Sequence, residues 1–85
     1  RGNVASVATL KGIDAEAIEF DVREGTRVAG RRVHEVAFPD GSIVGAILRN
    51  SQVITPRGRD RIEVGDRVVI FALPDAISDI ERLFS

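Results

Sequence analysis

The sequence contains no cysteine, which removes disulfides, thiolate nucleophiles and cysteine-ligated zinc together. Tyrosine, tryptophan and methionine are also absent, and the only aromatic residues are four phenylalanines. The stacking platforms that single-stranded nucleic-acid binders present to bases are therefore scarce. Basic and acidic residues nearly cancel, to a net charge of −1. The broad positive field of a nucleic-acid or anionic-membrane binder is missing, and any anion site must be local. One histidine, His34, has no second imidazole or thiol to complete a metal site or a triad. Ser42, Ser51 and Ser78 have no visible base partner. No apolar run approaches the roughly 20 residues needed to span a bilayer, and the glycines are scattered singly, without the close-spaced cluster that cradles a dinucleotide.

What remains is the patterning of one small α+β domain occupying residues 1–85. At this size the buried share of the surface is small, so pairing with a second copy would relieve a thin stability margin. The start at Arg1 and the lack of methionine lead us to expect a piece of a longer protein. Val4 to Leu10 reads as a first strand. Ile18-Glu19-Phe20-Asp21-Val22 alternates apolar and acidic residues, as a half-buried strand does. Glu19 and Asp21 then form its polar face rather than a cation site. Thr26 is placed to cap a helix in which Ala29, Val33, Val36 and Ala37 recur at helical spacing, with Gly30 expected at a close helix–sheet contact. Pro39-Asp40-Gly41 ends that region. Ile43 to Leu48, apolar on both faces, reads as a central strand joined through Asn50-Ser51 to Gln52-Val53-Ile54-Thr55 in a hairpin.

The carboxyl-terminal stretch is the most informative. In Glu63-Val64-Gly65-Asp66, glycine is free to take positive φ and the aspartate can bond nearby backbone donors. The run Val68-Val69-Ile70-Phe71-Ala72-Leu73 calls for cover on both faces. Pro74-Asp75 then opens a last helix whose apolar stripe is Ile77, Ile80, Leu83 and Phe84. The expected fold is a small, mostly antiparallel sheet with two helices in the order ββαβββα. Arg57, Arg59 and Arg61 alternate in a loop of mixed charge, the one local hint of an anion patch.

Three segments carry a resemblance: Gly45-Ala46-Ile47-Leu48-Arg49-Asn50, Val53-Ile54-Thr55-Pro56-Arg57-Gly58, and Ile62 through Ala72 with its Gly65-Asp66 turn. Together with Gly25-Thr26 and Val28 to Val33 upstream, they resemble the C-terminal domain of TrkA-type potassium-uptake regulators, the RCK C-terminal domain. The resemblance implies a non-catalytic regulatory module of a potassium channel or transporter. It would be cytoplasmic, part of or peripheral to a membrane transport protein, paired as a homodimer and following a separate nucleotide-binding RCK N-terminal domain. It also implies a small-molecule effector held between two subunits, which in some members is cyclic di-AMP. Those members have an arginine for phosphate where this chain reads Ala37-Phe38-Pro39-Asp40, a departure that argues against carrying the dinucleotide over.

The expected ligand residues are Phe38, Ser42, Ile43, Val44, Gly45 and Arg49. Phe38 and Ile43 would line an apolar cleft, with the backbone amides of Ser42 and Val44 as polar contacts. The expected dimer seam is Phe38, Ile43, Ile47 and Val53. A ligand-free structural dimerisation module is the alternative; a small β-barrel nucleic-acid binder ranks below it, disfavoured by the balanced charge.

Overall fold

Backbone alternation and turn chemistry produce five strands and one α-helix in the computed structural model, which describes residues 3–85. The strands are β1 (Val4–Thr9), β2 (Glu16–Asp21), β3 (Ser42–Arg49), β4 (Gln52–Ile54) and β5 (Arg67–Ala72), and helix α1 spans Pro74–Leu83. They form one antiparallel sheet in the order β1-β2-β5-β3-β4, with β5 in the middle. The β3–β4 hairpin turns on Asn50 and Ser51, both at positive φ (50° and 65°), the geometry that a two-residue hairpin loop requires.

The sheet has one covered face. In register, Ile70 lies between Ile18 and Val44, and Val68 between Phe20 and Ile47. These side chains pack under α1, whose Ala76 and Ile80 are buried together with the following Phe84. The rings of Phe20 and Phe84 stack with centroids 4.5 Å apart and planes 11° from parallel. Pro74 and Asp75 occupy the first turn of α1, as the sequence suggests, and the Asn3 side-chain amide donates to the Phe84 carbonyl at its far end.

Two expectations fail here for physical reasons. The helix predicted from Thr26 is not formed: among the described residues α1 is the only α-helix, and between β2 and β3 there is a chain of turns with one 3-10 turn at Val33–Glu35. Amides that a helix would satisfy internally bond instead to the 57–62 loop. Gly30 N–H donates to Ile62 O (2.7 Å), Val33 N–H to Asp60 O (2.9 Å) and His34 N–H to Gly58 O (3.0 Å), while Ile62 N–H returns a bond to Arg31 O (2.8 Å). Thr26 caps nothing; its hydroxyl donates to Arg23 O at 2.8 Å and closes a turn. Gly30 makes no close contact either. It has φ +79° with open space where a side chain would stand, so it is there for the turn. The helical spacing of apolar residues reflects burial against this loop, with Val28 fully enclosed and Val33 and Val36 half-buried.

The second failure concerns β5. Val68, Ile70 and Ala72 are buried, but Phe71 on the opposite face is exposed and Leu73, past the strand end, is exposed beside α1. The apolar run is covered on one side only.

Candidate functional site

The uncovered face of the sheet is built by the residues that alternate with the core. Register places Ala17, Phe71 and Ile43 in one row across β2, β5 and β3, and Glu19, Val69 and Ala46 in the next. Leu48 and Val53 extend it to the β4 edge, and Ser6 and Ala8 extend it to the β1 edge. Ile43 is 69% and Val53 74% exposed. An antiparallel sheet with a solvated face ordinarily carries polar side chains there. Among the described residues the charges on it are Glu19 in the middle row and Asp21 and Arg67 at the end, where Arg67 Nε donates to Asp21 Oδ1 at 3.1 Å and Arg67 Nη1 lies 3.5 Å from Glu19 Oε1.

Gly45 is central to this face. The β3–β5 register shifts between Val44 and Ala46, leaving Gly45 as the extra residue of a β-bulge. The Phe71 ring lies over it so closely that a Cβ there would come within 2.3 Å of Phe71 Cε2. Only a residue without a side chain allows the ring to lie flat across the bulge.

At the α1 end, the face runs into an apolar cleft of about 390 Å3 lined by Leu10, Ile13, Ala15, Gly41 to Ile43 and Phe71 to Leu73. Among the described residues no charged side chain lines it. Ser42 is its one hydroxyl, and that group donates to Pro39 O at 2.6 Å. Because β4 pairs only with Ile47, Leu48 and Arg49, the Ser42–Ala46 half of β3 has no partner strand among the described residues on the side away from β5. Its backbone groups on that side are open to a ligand or another strand. A broader hollow of about 580 Å3 lies between Glu24, Gly25, Thr26, Ala29, Gly30, Arg61, Glu63 and Val64. It is walled by turn backbone and opposing charges, and its Arg61 guanidinium already donates to Gly30 O at 2.8 Å.

Of the residues singled out in the sequence, Ser42 and Ile43 reach the cleft, Gly45 lies on the bare face under Phe71, and Val53 stands on that face at the β4 edge. The others do not join them. Phe38 is half-buried against the core rather than displayed on a seam, and Val44 also packs on the core side. Ile47 is fully buried, since its place in β3 sets it opposite Val68 on the helix-covered face, so it cannot belong to an exposed seam. Arg49 does not line the cleft and is engaged elsewhere. Its Nε and Nη2 grip Asp66 Oδ1 and Oδ2 at 2.8 Å each, Nη2 also donates to Arg61 O at 2.9 Å, and Nη1 lies 3.5 Å from Glu63 Oε2. The Asp66 bond raises the Arg49 pKa further above its already high ordinary value. Asp66 is the one buried charged residue among those described, and it also accepts from Glu63 N–H at 2.8 Å.

Sequence reasoning missed Leu10, Ile13, Phe71 and Leu73. The signal was the match between the Phe71 and Ile43 parities, which becomes readable only once β3 and β5 are known to be neighbours. Among the described residues no cluster of histidine and carboxylates is placed to hold a metal, and no helix is long and apolar enough to cross a membrane.

Comparison with known proteins agrees with this architecture. Residues 17–85 match the TrkA-C domain. The chain is 38% identical over 81 residues to the Trk system potassium uptake protein TrkA homolog 2 of Methanosarcina mazei, covering 95% of this chain and 18% of that protein. It is 42% identical over 90 residues to TrkA of Haemophilus influenzae, covering 99% of this chain and 19% of that one. The chain thus spans about a fifth of the length of the curated relatives it matches. A solved structure described as an RCK domain with cda superposes with a TM-score of 0.70 at 17% identity, over 81% of this chain and 97% of that one, which supports the fold. On the family match and these identities, the chain belongs to the TrkA-C domain family.

Proposed function

We propose that this domain is a non-catalytic regulatory module of a potassium transport system, acting on the cytoplasmic side of the membrane as a self-paired unit. The observation that carries the reading is the bare apolar sheet face, with Ile43 and Val53 extended into solvent where polar residues are expected. Five strands about 4.8 Å apart and about six residues long give a face of roughly 24 by 20 Å. That approaches the ~600 Å2 per partner at the lower end of specific interfaces. A two-fold pairing through this face repeats each contact and places the two clefts at the margins of one seam. Ligand occupancy there, or the nucleotide state of a preceding domain in the longer protein, would shift the pairing geometry and so bias a transporter or channel pore. Couplings of this kind are typically worth about 1–3 kcal/mol.

The cleft chemistry favours an apolar or uncharged effector. Among the described residues no guanidinium lines it and Arg49 is held by Asp66, so the phosphates of a cyclic dinucleotide find no cation among those residues in the cleft.

Sedimentation across a concentration series tests the pairing. Dimers are expected for the native chain and monomers for Ile43→Asp/Val53→Asp, with unchanged circular dichroism. A native chain that stays monomeric at high concentration refutes it. Thermal shift against a panel including cyclic di-AMP and uncharged metabolites tests the effector class, because a ligand of the folded state must raise Tm. A large shift with cyclic di-AMP would overturn the preference for uncharged ligands.

A further inference from the structure

The arginines fall into two populations. Arg49, Arg67 and Arg82 are each paired with a carboxylate. Arg23, Arg27, Arg31, Arg57 and Arg59 are exposed, and among the described residues none of these five has a carboxylate within ion-pair distance. Arg31 and Arg59 lie within, and Arg57 beside, the two stretches that the backbone bonds from Gly30, Ile62, Val33 and His34 hold side by side, Arg23 and Arg27 precede them on the first segment, and the Arg32–Arg61 bridge registers the stretches antiparallel. The fold therefore brings two basic segments about 30 positions apart in the chain next to each other.

Segments 23–35 and 57–61 together carry seven arginines against three carboxylates, Glu24, Glu35 and Asp60, so their balance is positive. Glu35 Oε1 accepts from Arg32 N–H and Asp60 Oδ2 from Arg57 N–H, both at 2.7 Å, while Glu63 is turned toward Arg49. Each is engaged by backbone or by an arginine outside the group. Arg32 Nε is shielded from solvent and has no acceptor. Beside Arg27 and Arg31 is a shallow cleft of about 260 Å3 whose other walls are Glu35, Val36, Ala37 and Leu83, that is, two cations and one carboxylate next to an apolar floor.

We propose that segments 23–35 and 57–61 form a docking face for an acidic polypeptide segment carrying apolar side chains. Spaced carboxylates suit dispersed guanidinium groups, which bind them bidentately. The apolar floor suits a leucine-like residue between them. Nucleic acid fits less well, because none of the four phenylalanines lies in either segment to stack on a base. A continuous phosphate backbone would also meet Glu24, Glu35, Asp60 and Glu63. This surface lies apart from the sheet face, so the proposal does not depend on self-pairing.

The test is fluorescence anisotropy of the chain with a labelled peptide of Glu-Glu-Leu repeats, at low and high salt, beside a Lys-Lys-Leu peptide and a single-stranded oligonucleotide. The acidic peptide is expected to bind and to weaken as salt screens the contacts. Arg27→Glu/Arg31→Glu and Arg57→Glu/Arg59→Glu, each folded by circular dichroism, should each weaken binding at least about tenfold. Lys11→Glu/Arg82→Glu, which changes the net charge by the same amount elsewhere, should leave it within about twofold. No binding at low salt, equal losses in all three double variants, or tighter binding of the oligonucleotide would each overturn the proposal.

Discussion

Replacing Asp66 by alanine should destabilise the domain more than any other single loss of charge, and the size of the effect follows from what the carboxylate holds. Its side chain is 1% exposed, against 30% for Arg49. It accepts two bonds from Arg49 and one from Glu63 N–H, all at 2.8 Å. The same residue's backbone carbonyl accepts from Val22 N–H at 2.9 Å, and Gly65 N–H, at φ +94°, donates to Val22 O at 2.9 Å. The turn into β5 is thus tied to the end of β2 by backbone and to the end of β3 by Arg49. Hydrogen bonds to charged groups contribute about 1.5–3 kcal/mol each. Breaking a buried pair from one side costs about 3–5 kcal/mol. Because Arg49 reaches solvent and recovers some hydration, the lower end applies, about 3 kcal/mol. A domain of 85 residues has a total stability of roughly 4–13 kcal/mol. Urea unfolding followed by circular dichroism should show the loss, and Tm should fall by about 12–24 °C. Asp66→Asn, which keeps an acceptor for Glu63 N–H, should fall between the two. The reasoning is refuted if Asp66→Ala loses less than about 1 kcal/mol. It also fails if a double-mutant cycle with Arg49→Met gives a coupling below about 0.5 kcal/mol.

Three further outcomes are expected. Gly45→Ala should cost about 1–3 kcal/mol in urea unfolding, because its Cβ would meet the Phe71 ring, and Phe71→Leu in the same chain should return part of that loss. Phe84→Ala removes the ring stacked on Phe20 at the end of α1 and should cost about 3–5 kcal/mol, with faster amide exchange concentrated in the helix. Glu35 is held below its ordinary carboxylate pKa first by the Arg32 N–H bond and then by His34, Arg61 and Arg32 charges, with partial desolvation opposing. A carboxylate lowered on folding adds stability that is present above its unfolded pKa and is lost as pH falls through the folded one. NMR titration should place the Glu35 midpoint below that of Glu in a model peptide, and Glu35→Gln should flatten the acid limb of stability; an unshifted midpoint refutes the bond.

Local chemistry made part of this fold legible. The Gly65-Asp66 turn, the Asn50-Ser51 hairpin, the alternation of β2 and the Pro74 helix start are each set by residues within a few positions of one another. The segment 26–37 was not legible in the same way. The alternative partners for its amides sit in the 57–62 loop, and no window of helical periodicity contains them. Arg49 shows the same limit at a single residue. A lone arginine at a strand end resembles a ligand group until Asp66, 17 positions on, is brought against it.

The two faces of the sheet make opposite demands on so short a chain. Helix α1 supplies one layer, and it covers Phe20, Ile70 and their neighbours. A second layer over Phe71, Ile43 and Val53 would take another element, and segment 26–37 supplies none, because its amides bond to the 57–62 loop and its valines pack into the core on the α1 side. Because those residues serve the loop, the apolar row on the other face remains available, and whatever covers it adds stability by mass action to a domain of this size. It follows that Tm should rise with protein concentration for the native chain and become independent of concentration in Ile43→Asp/Val53→Asp. A native Tm that does not change with concentration would mean that the face stays open to water, and would separate the fold from the function proposed for it.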